Sequence, residues 1–74
     1  MFSLGGRIRY FRTKRGYTQR QLAAWLGVTS QAVSKWETDA ACPDVSILYS
    51  LACRLGVTTD QLLSPVFAGE EENL

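Results

Sequence analysis

Apolar positions along this chain recur at helical spacing, and glycines interrupt them at intervals. Leu4, Ile8 and Phe11 form the first apolar stripe, and Gly16 follows where it ends. Thr18 with Gln21 has the spacing of a capping box, in which side chain and backbone satisfy each other's free amides. A second helix follows with Leu22, Ala23 and Leu26 inward, and Gly27 closes it. Thr29 or Ser30 caps a third helix, at about 29–37, whose apolar residues are Val33 and Trp36. "ETDAACPD" reads as a loop. Pro43 and Asp44 mark the start of a fourth helix, where a missing amide is harmless and a carboxylate suits the positive helix end. Ile47, Leu48, Leu51, Ala52 and Leu55 give that helix a wide apolar face, and Gly56 ends it. Thr58 with Gln61 repeats the capping box and opens a short fifth helix through Leu62 and Leu63, stopped by Pro65. No alternating strand pattern competes, so the expected class is all-α: a compact bundle of five helices with short loops.

Seventy-four residues make one domain, of a size that buries only about 60% of its unfolded surface. The expected organisation is a helical domain over 1–65 and an acidic tail over 66–74 that frays. No apolar run approaches the roughly 20 residues of a membrane span, and the N-terminus has no signal-like apolar core. The expected location is the cytoplasm. There is no histidine, and Cys42 and Cys53 alone cannot complete a metal site. Both thiols are expected to be reduced, with Cys53 in the core and Cys42 in a loop. No metal, cofactor or small-molecule ligand is implied. An enzyme is disfavoured, since there is no glycine-rich phosphate loop and no nucleophile–base set.

The net charge of +1 conceals a segregation. Residues 1–36 carry seven bases (Arg7, Arg9, Arg12, Lys14, Arg15, Arg20 and Lys35) and no acid, hence +7. Residues 37–74 carry seven acids against Arg54, hence −6. A basic half beside an acidic one suggests a surface for a polyanion.

Four residues set the geometry of "TQRQLAAWLGVTSQAVSKWE". Ala23 is small where the third helix must cross the second closely. Gly27 adopts positive φ without steric cost at a sharp turn. Val33 and Trp36 anchor the third helix to the core. This set describes a helix-turn-helix that presents its second helix to a partner. At about 100° per residue from Val33, Ser30, Trp36 and Glu37 lie toward the core, and Gln31, Ser34, Lys35 and Thr38 lie away from it. The outward groups are polar and, apart from Lys35, uncharged. Glutamine pairs with adenine, lysine reaches guanine and serine is permissive.

With "RIRYFRTKRGYTQRQLA", "LGVTSQAVSKWE", "PD" and "LACRLGVTTDQLL" in place, the chain resembles the Cro/repressor-type (lambda-repressor-like) helix-turn-helix family from about Leu4 to Leu63. The resemblance implies a five-helix domain bound to double-stranded DNA, with the third helix in the major groove and two copies on a symmetric operator. It implies base reading by Ser30, Gln31, Ser34 and Lys35, and a phosphate contact by Gln19. Arg20, beside Gln19, is the foremost further phosphate candidate, ahead of Arg7, Arg9, Lys14 and Arg15; Thr38 completes the expected phosphate set. The resemblance also implies a salt bridge between Arg12 and Glu37. Two departures stand out. The loop after the third helix has Asp39 and no base where the family often has a glycine followed by a basic residue, which implies a weaker grip on phosphate. Trp25 occupies a flank where the family often has a charge; it either covers the core edge or anchors a protein partner. The leading expectation is a small transcriptional regulator, a repressor, acting as a homodimer whose contacts come from the fifth helix, Val66 and Phe67. The alternative is a protein-interaction or antitoxin-like module on the same fold.

Overall fold

The computed structural model describes residues 3–63. Over them the chain forms five helices: α1 (Leu4–Arg15), α2 (Gln19–Leu26), α3 (Ser30–Glu37), α4 (Val45–Leu55) and α5 (Thr59–Leu63). The expected all-α class and order hold. Pro65, Val66, Phe67 and the expected tail over 66–74 lie outside the described residues.

Each boundary has a local cause. Thr18 and Gln21 exchange both bonds of the capping box, at 3.0 and 2.9 Å. Thr58 and Gln61 do the same at 3.0 and 2.9 Å. Thr29, rather than Ser30, caps α3, accepting from the Ala32 amide at 3.1 Å. Asp44 caps α4, so Pro43 precedes the cap rather than opening the helix. Gly16, Gly27 and Gly56 end α1, α2 and α4 in the left-handed conformation, which glycine adopts without a Cβ penalty.

Ile8, Leu22, Ala23, Val33, Trp36, Leu51, Ala52, Leu55 and Leu62 form one buried core, drawn from all five helices. Fully burying such a side chain contributes roughly 1.5–3 kcal/mol. α3 packs on α1 and α2, whereas α4 packs on α2, α5 and α1. α3 therefore lies at one side of the bundle, with one face left uncovered.

Two expectations fail. Cys53 is exposed, like Cys42; the inward face of α4 is already filled by the stripe from Ile47 to Leu55, and position 53 turns outward. Arg7 is buried and is no phosphate contact. Its Nε donates to the Leu62 carbonyl at 2.6 Å and its Nη2 to the Leu63 carbonyl at 3.0 Å, neutralising the negative end of α5. Arg15 is similarly engaged, donating from Nε to the Leu55 carbonyl at the end of α4 at 3.1 Å.

Candidate nucleic-acid interface

The site is built around α3. Gly27, at φ 71°, turns the chain sharply between α2 and α3. Ala23, Val33 and Trp36 are buried at the crossing, as their spacing requires. Gln31, Lys35 and Thr38 are exposed on the opposite side, and Ser30 and Ser34 are half-buried at its margins. Ser30 Oγ lies 3.4 Å from Gln31 Oε1. The Thr38 hydroxyl turns back to the Ser34 and Lys35 carbonyls, both at 3.2 Å. It thus caps the end of α3 instead of projecting from it.

One polar network fixes α3 relative to the other helices. Arg12 Nε donates to Glu37 Oε2 at 2.6 Å, and Arg12 Nη2 to Glu37 Oε1 at 3.1 Å. Arg12 Nη1 donates to the Tyr17 carbonyl at 2.7 Å, in the link between α1 and α2. Gln19, the first residue of α2, donates from Nε2 to Glu37 Oε1 at 2.9 Å. The two-pronged arginine–carboxylate geometry is the strong form of this interaction. Arg12, Gln19 and Glu37 therefore form one unit, with the Glu37 charge compensated and largely buried. The expected salt bridge is present. The Gln19 side chain braces α3 through Glu37.

A second tie was not anticipated. Asp39, at φ 63°, is the only non-glycine residue at positive φ among the described ones. Its Oδ2 accepts from Ser3 Oγ at 2.5 Å and its Oδ1 from the Gly5 amide at 3.0 Å. The carboxylate therefore sits at the positive end of α1. Gly5 permits the close approach, since a Cβ there would collide with the Trp36 carbonyl oxygen. The loop after α3 is tied to the protein itself. The only sequence signal for this was an acid in place of a glycine.

Of the remaining bases, Arg9 and Arg20 are exposed, Arg20 next to Gln19 at the start of α2. Lys14 is exposed and lies over the Tyr10 ring. Trp25 is 41% exposed. Its ring meets Tyr17 edge-on at 4.6 Å, and the Arg54 guanidinium lies over it at 5.1 Å. It covers the core edge between α2 and α4. No three histidine, cysteine, aspartate or glutamate side chains among the described residues group as a metal site. No described helix is long and apolar enough to cross a membrane.

A helix-turn-helix family model matches residues 8–62. The chain belongs to the helix-turn-helix family. Among relatives of this helix-turn-helix chain, the SPbeta prophage-derived HTH-type transcriptional regulator YonR of Bacillus subtilis (strain 168) is 42% identical over 64 residues, spanning 86% of this chain and 59% of that protein. The HTH-type transcriptional regulator ImmR of the same organism is 39% identical over 61 residues, spanning 82% of this chain and 48% of that protein. The chain thus spans about half the length of these two relatives. Its fold is similar to that of the P22 c2 repressor, solved in complex with a synthetic operator. The TM-score is 0.84 and the identity 32%, over 89% of this chain and 100% of that one. SinR, a master regulator for biofilm formation solved in complex with DNA, is similar with a TM-score of 0.75 and 28% identity, over 81% of this chain and 97% of that one.

Proposed function

We propose that this helix-turn-helix chain is a sequence-specific DNA-binding transcriptional regulator that works in the cytoplasm as a pair of identical copies. It acts by occupying an operator and blocking it, with no chemical step. The observation that carries the reading is the outward face of α3. Gln31, Ser34 and Lys35 stand there on a helix braced by the Arg12–Glu37–Gln19 network. Such a face offers donors and acceptors to base edges in the major groove, which an α-helix enters. Arg20 lies at the positive end of α2, which itself favours an anion. The operator-bound P22 c2 repressor and DNA-bound SinR share this fold and support the same reading. Two copies are proposed because a single module buries only about 600–1,000 Å² on DNA.

Selection from random duplex DNA at physiological salt tests the reading. The expected result is enrichment of a two-fold symmetric site, abolished when Gln31→Ala is combined with Lys35→Ala. A folded protein that enriches nothing would overturn it in favour of a protein-interaction module, for which the half-exposed Trp25 is the natural anchor.

A further inference from the structure

The first turn of α1 is built from Leu4, Gly5 and Gly6 and contains no acid. Two adjacent glycines are poor helix formers, and the positive end of a helix favours a carboxylate. The missing carboxylate arrives from just beyond the end of α3. Asp39 Oδ1 accepts from the Gly5 amide and Oδ2 from the Ser3 hydroxyl, while Ser3 Oγ itself accepts from the Gly6 amide at 3.1 Å. Ser3 and Asp39 thus satisfy two free amides of α1 together.

Asp39 holds this position against its own backbone preference. The chain leaves α3 in a Schellman turn, with the Ala40 amide donating to the Lys35 carbonyl at 2.9 Å and the Asp39 amide to the Trp36 carbonyl at 3.1 Å. The left-handed position of such a turn usually holds glycine, as at Gly16, Gly27 and Gly56. Here it holds Asp39, at φ 63°. A glycine would serve the turn better and would remove a negative charge from the end of the DNA-reading helix. What only a side chain at this position supplies is the tie to α1.

The tie acts where α3 needs a second constraint. Val33 and Trp36 hold α3 to the core, but apolar packing is non-directional. The Arg12–Glu37 pair attaches α3 to one point of α1. Gly5 lies seven residues before Arg12, about 10 Å along the helix, and its lack of a Cβ lets the Trp36 carbonyl approach closely. One point of attachment permits a pivot, and a second opposes it. Gln31 lies six residues from Glu37, about 9 Å along α3. A pivot of about 6° would displace it by about 1 Å, more than a hydrogen bond to a base edge tolerates.

We propose that Asp39 is a positioning residue for base reading: tied to Ser3 and Gly5, it sets the angle at which α3 presents Gln31, Ser34 and Lys35. The proposal rests on the DNA-binding reading. Asp39→Asn and Asp39→Gly test it, because both lose the same charge. Asparagine tolerates positive φ, and its amide can still accept from the Gly5 amide and donate to Ser3 Oγ. Glycine suits the turn but makes no tie. Each protein is titrated with the duplex selected by the wild type and with a scrambled duplex of the same length and composition, and the ratio of the two dissociation constants is read. A charge lost near phosphate, or an inactive fraction of protein, changes both constants alike and cancels in the ratio. Asp39→Gly should cut the ratio at least about tenfold, the discrimination supplied by one good base contact, and Asp39→Asn by less than about threefold. Ser3→Ala should lower it too, but no further in the Asp39→Gly background, since both changes break one tie. Circular dichroism should show every variant helical. Equal ratios for Asp39→Gly and Asp39→Asn, or additive losses from Ser3→Ala and Asp39→Gly, would overturn the proposal and leave the DNA reading intact. A wild type that prefers neither duplex would overturn both.

Discussion

Glu37 ties three helices together through one side chain. It accepts from Arg12 twice and from Gln19 once, so it joins α1, α2 and α3 at one carboxylate. Only 3% of the Glu37 side chain and 12% of the Arg12 side chain are exposed. Removing one member of such a pair strands the other charge away from water, which costs roughly 3–5 kcal/mol. That approaches the whole stability of a small domain, typically about 5 kcal/mol or more. Glu37→Ala should therefore lower the urea unfolding free energy by about 3 kcal/mol. Combining it with Arg12→Met should recover most of the loss, because the buried charge is then gone from both sides. A cost for Glu37→Ala under about 0.5 kcal/mol, the range of ordinary surface substitutions, would mean that the pair is solvated and does not brace α3.

The elements depend on their caps, and the cap of α4 is the one that titrates. Asp44 Oδ1 accepts from the Ile47 amide and the Ser46 hydroxyl, each at 2.9 Å. These bonds, the Ile47 amide first, hold the carboxyl below its usual 3.8. A carboxyl whose folded value is depressed stabilises the fold fully above its unfolded value, and loses that contribution as pH falls through the folded one. Asp44→Asn keeps a capping oxygen but has no charge to lose. The gap in melting temperature between wild type and Asp44→Asn should be constant near neutral pH and shrink below about pH 4. A gap that does not change with acid would show that the charge on the cap contributes nothing. The caps also explain what was legible in the sequence. Each helix boundary is written within about four consecutive residues, as in Thr18–Gln21 or Thr58–Gln61, so the five helices could be read directly. The outward face of α3 was legible for the same reason, being set by the period of one helix. The ties between elements are not local. Arg7 reaches a carbonyl 55 positions away, and Asp39 reaches Gly5 across 34; no neighbouring residue marks either. Arg12 and Glu37, 25 apart, were paired only through the family resemblance. Cys53 was misplaced because a small apolar residue says nothing about which face of α4 meets the bundle.

At the scale of the whole molecule, the sequence counts seven bases in residues 1–36, but the fold does not leave seven for a polyanion. Arg12 is paired with Glu37, and Arg7 and Arg15 hold the carbonyl ends of α5 and α4. Arg15 is exposed all the same, so Arg9, Lys14, Arg15, Arg20 and Lys35 are the five bases open to solvent. Asp39 offers nothing to phosphate, being engaged with α1 through Ser3 and Gly5. Each neutralised phosphate contributes about 0.9 to the dependence of log K on log salt. Five bases per copy then limit a dimer to a slope of about −9. Arg20 is the base to test first, since it stands beside Gln19 at the start of α2 while Arg9, Lys14 and Arg15 lie on α1. Arg20→Ala should weaken operator binding and make the slope shallower by nearly 2, one contact from each copy. Gln31→Ala, which removes a base-edge partner and no charge, should weaken the operator by roughly 1–3 kcal/mol per copy and leave the slope unchanged. Titrations at several salt concentrations separate the two effects. Equal slopes for wild type and Arg20→Ala would move the phosphate contact to α1, and with it the orientation in which the bundle meets DNA.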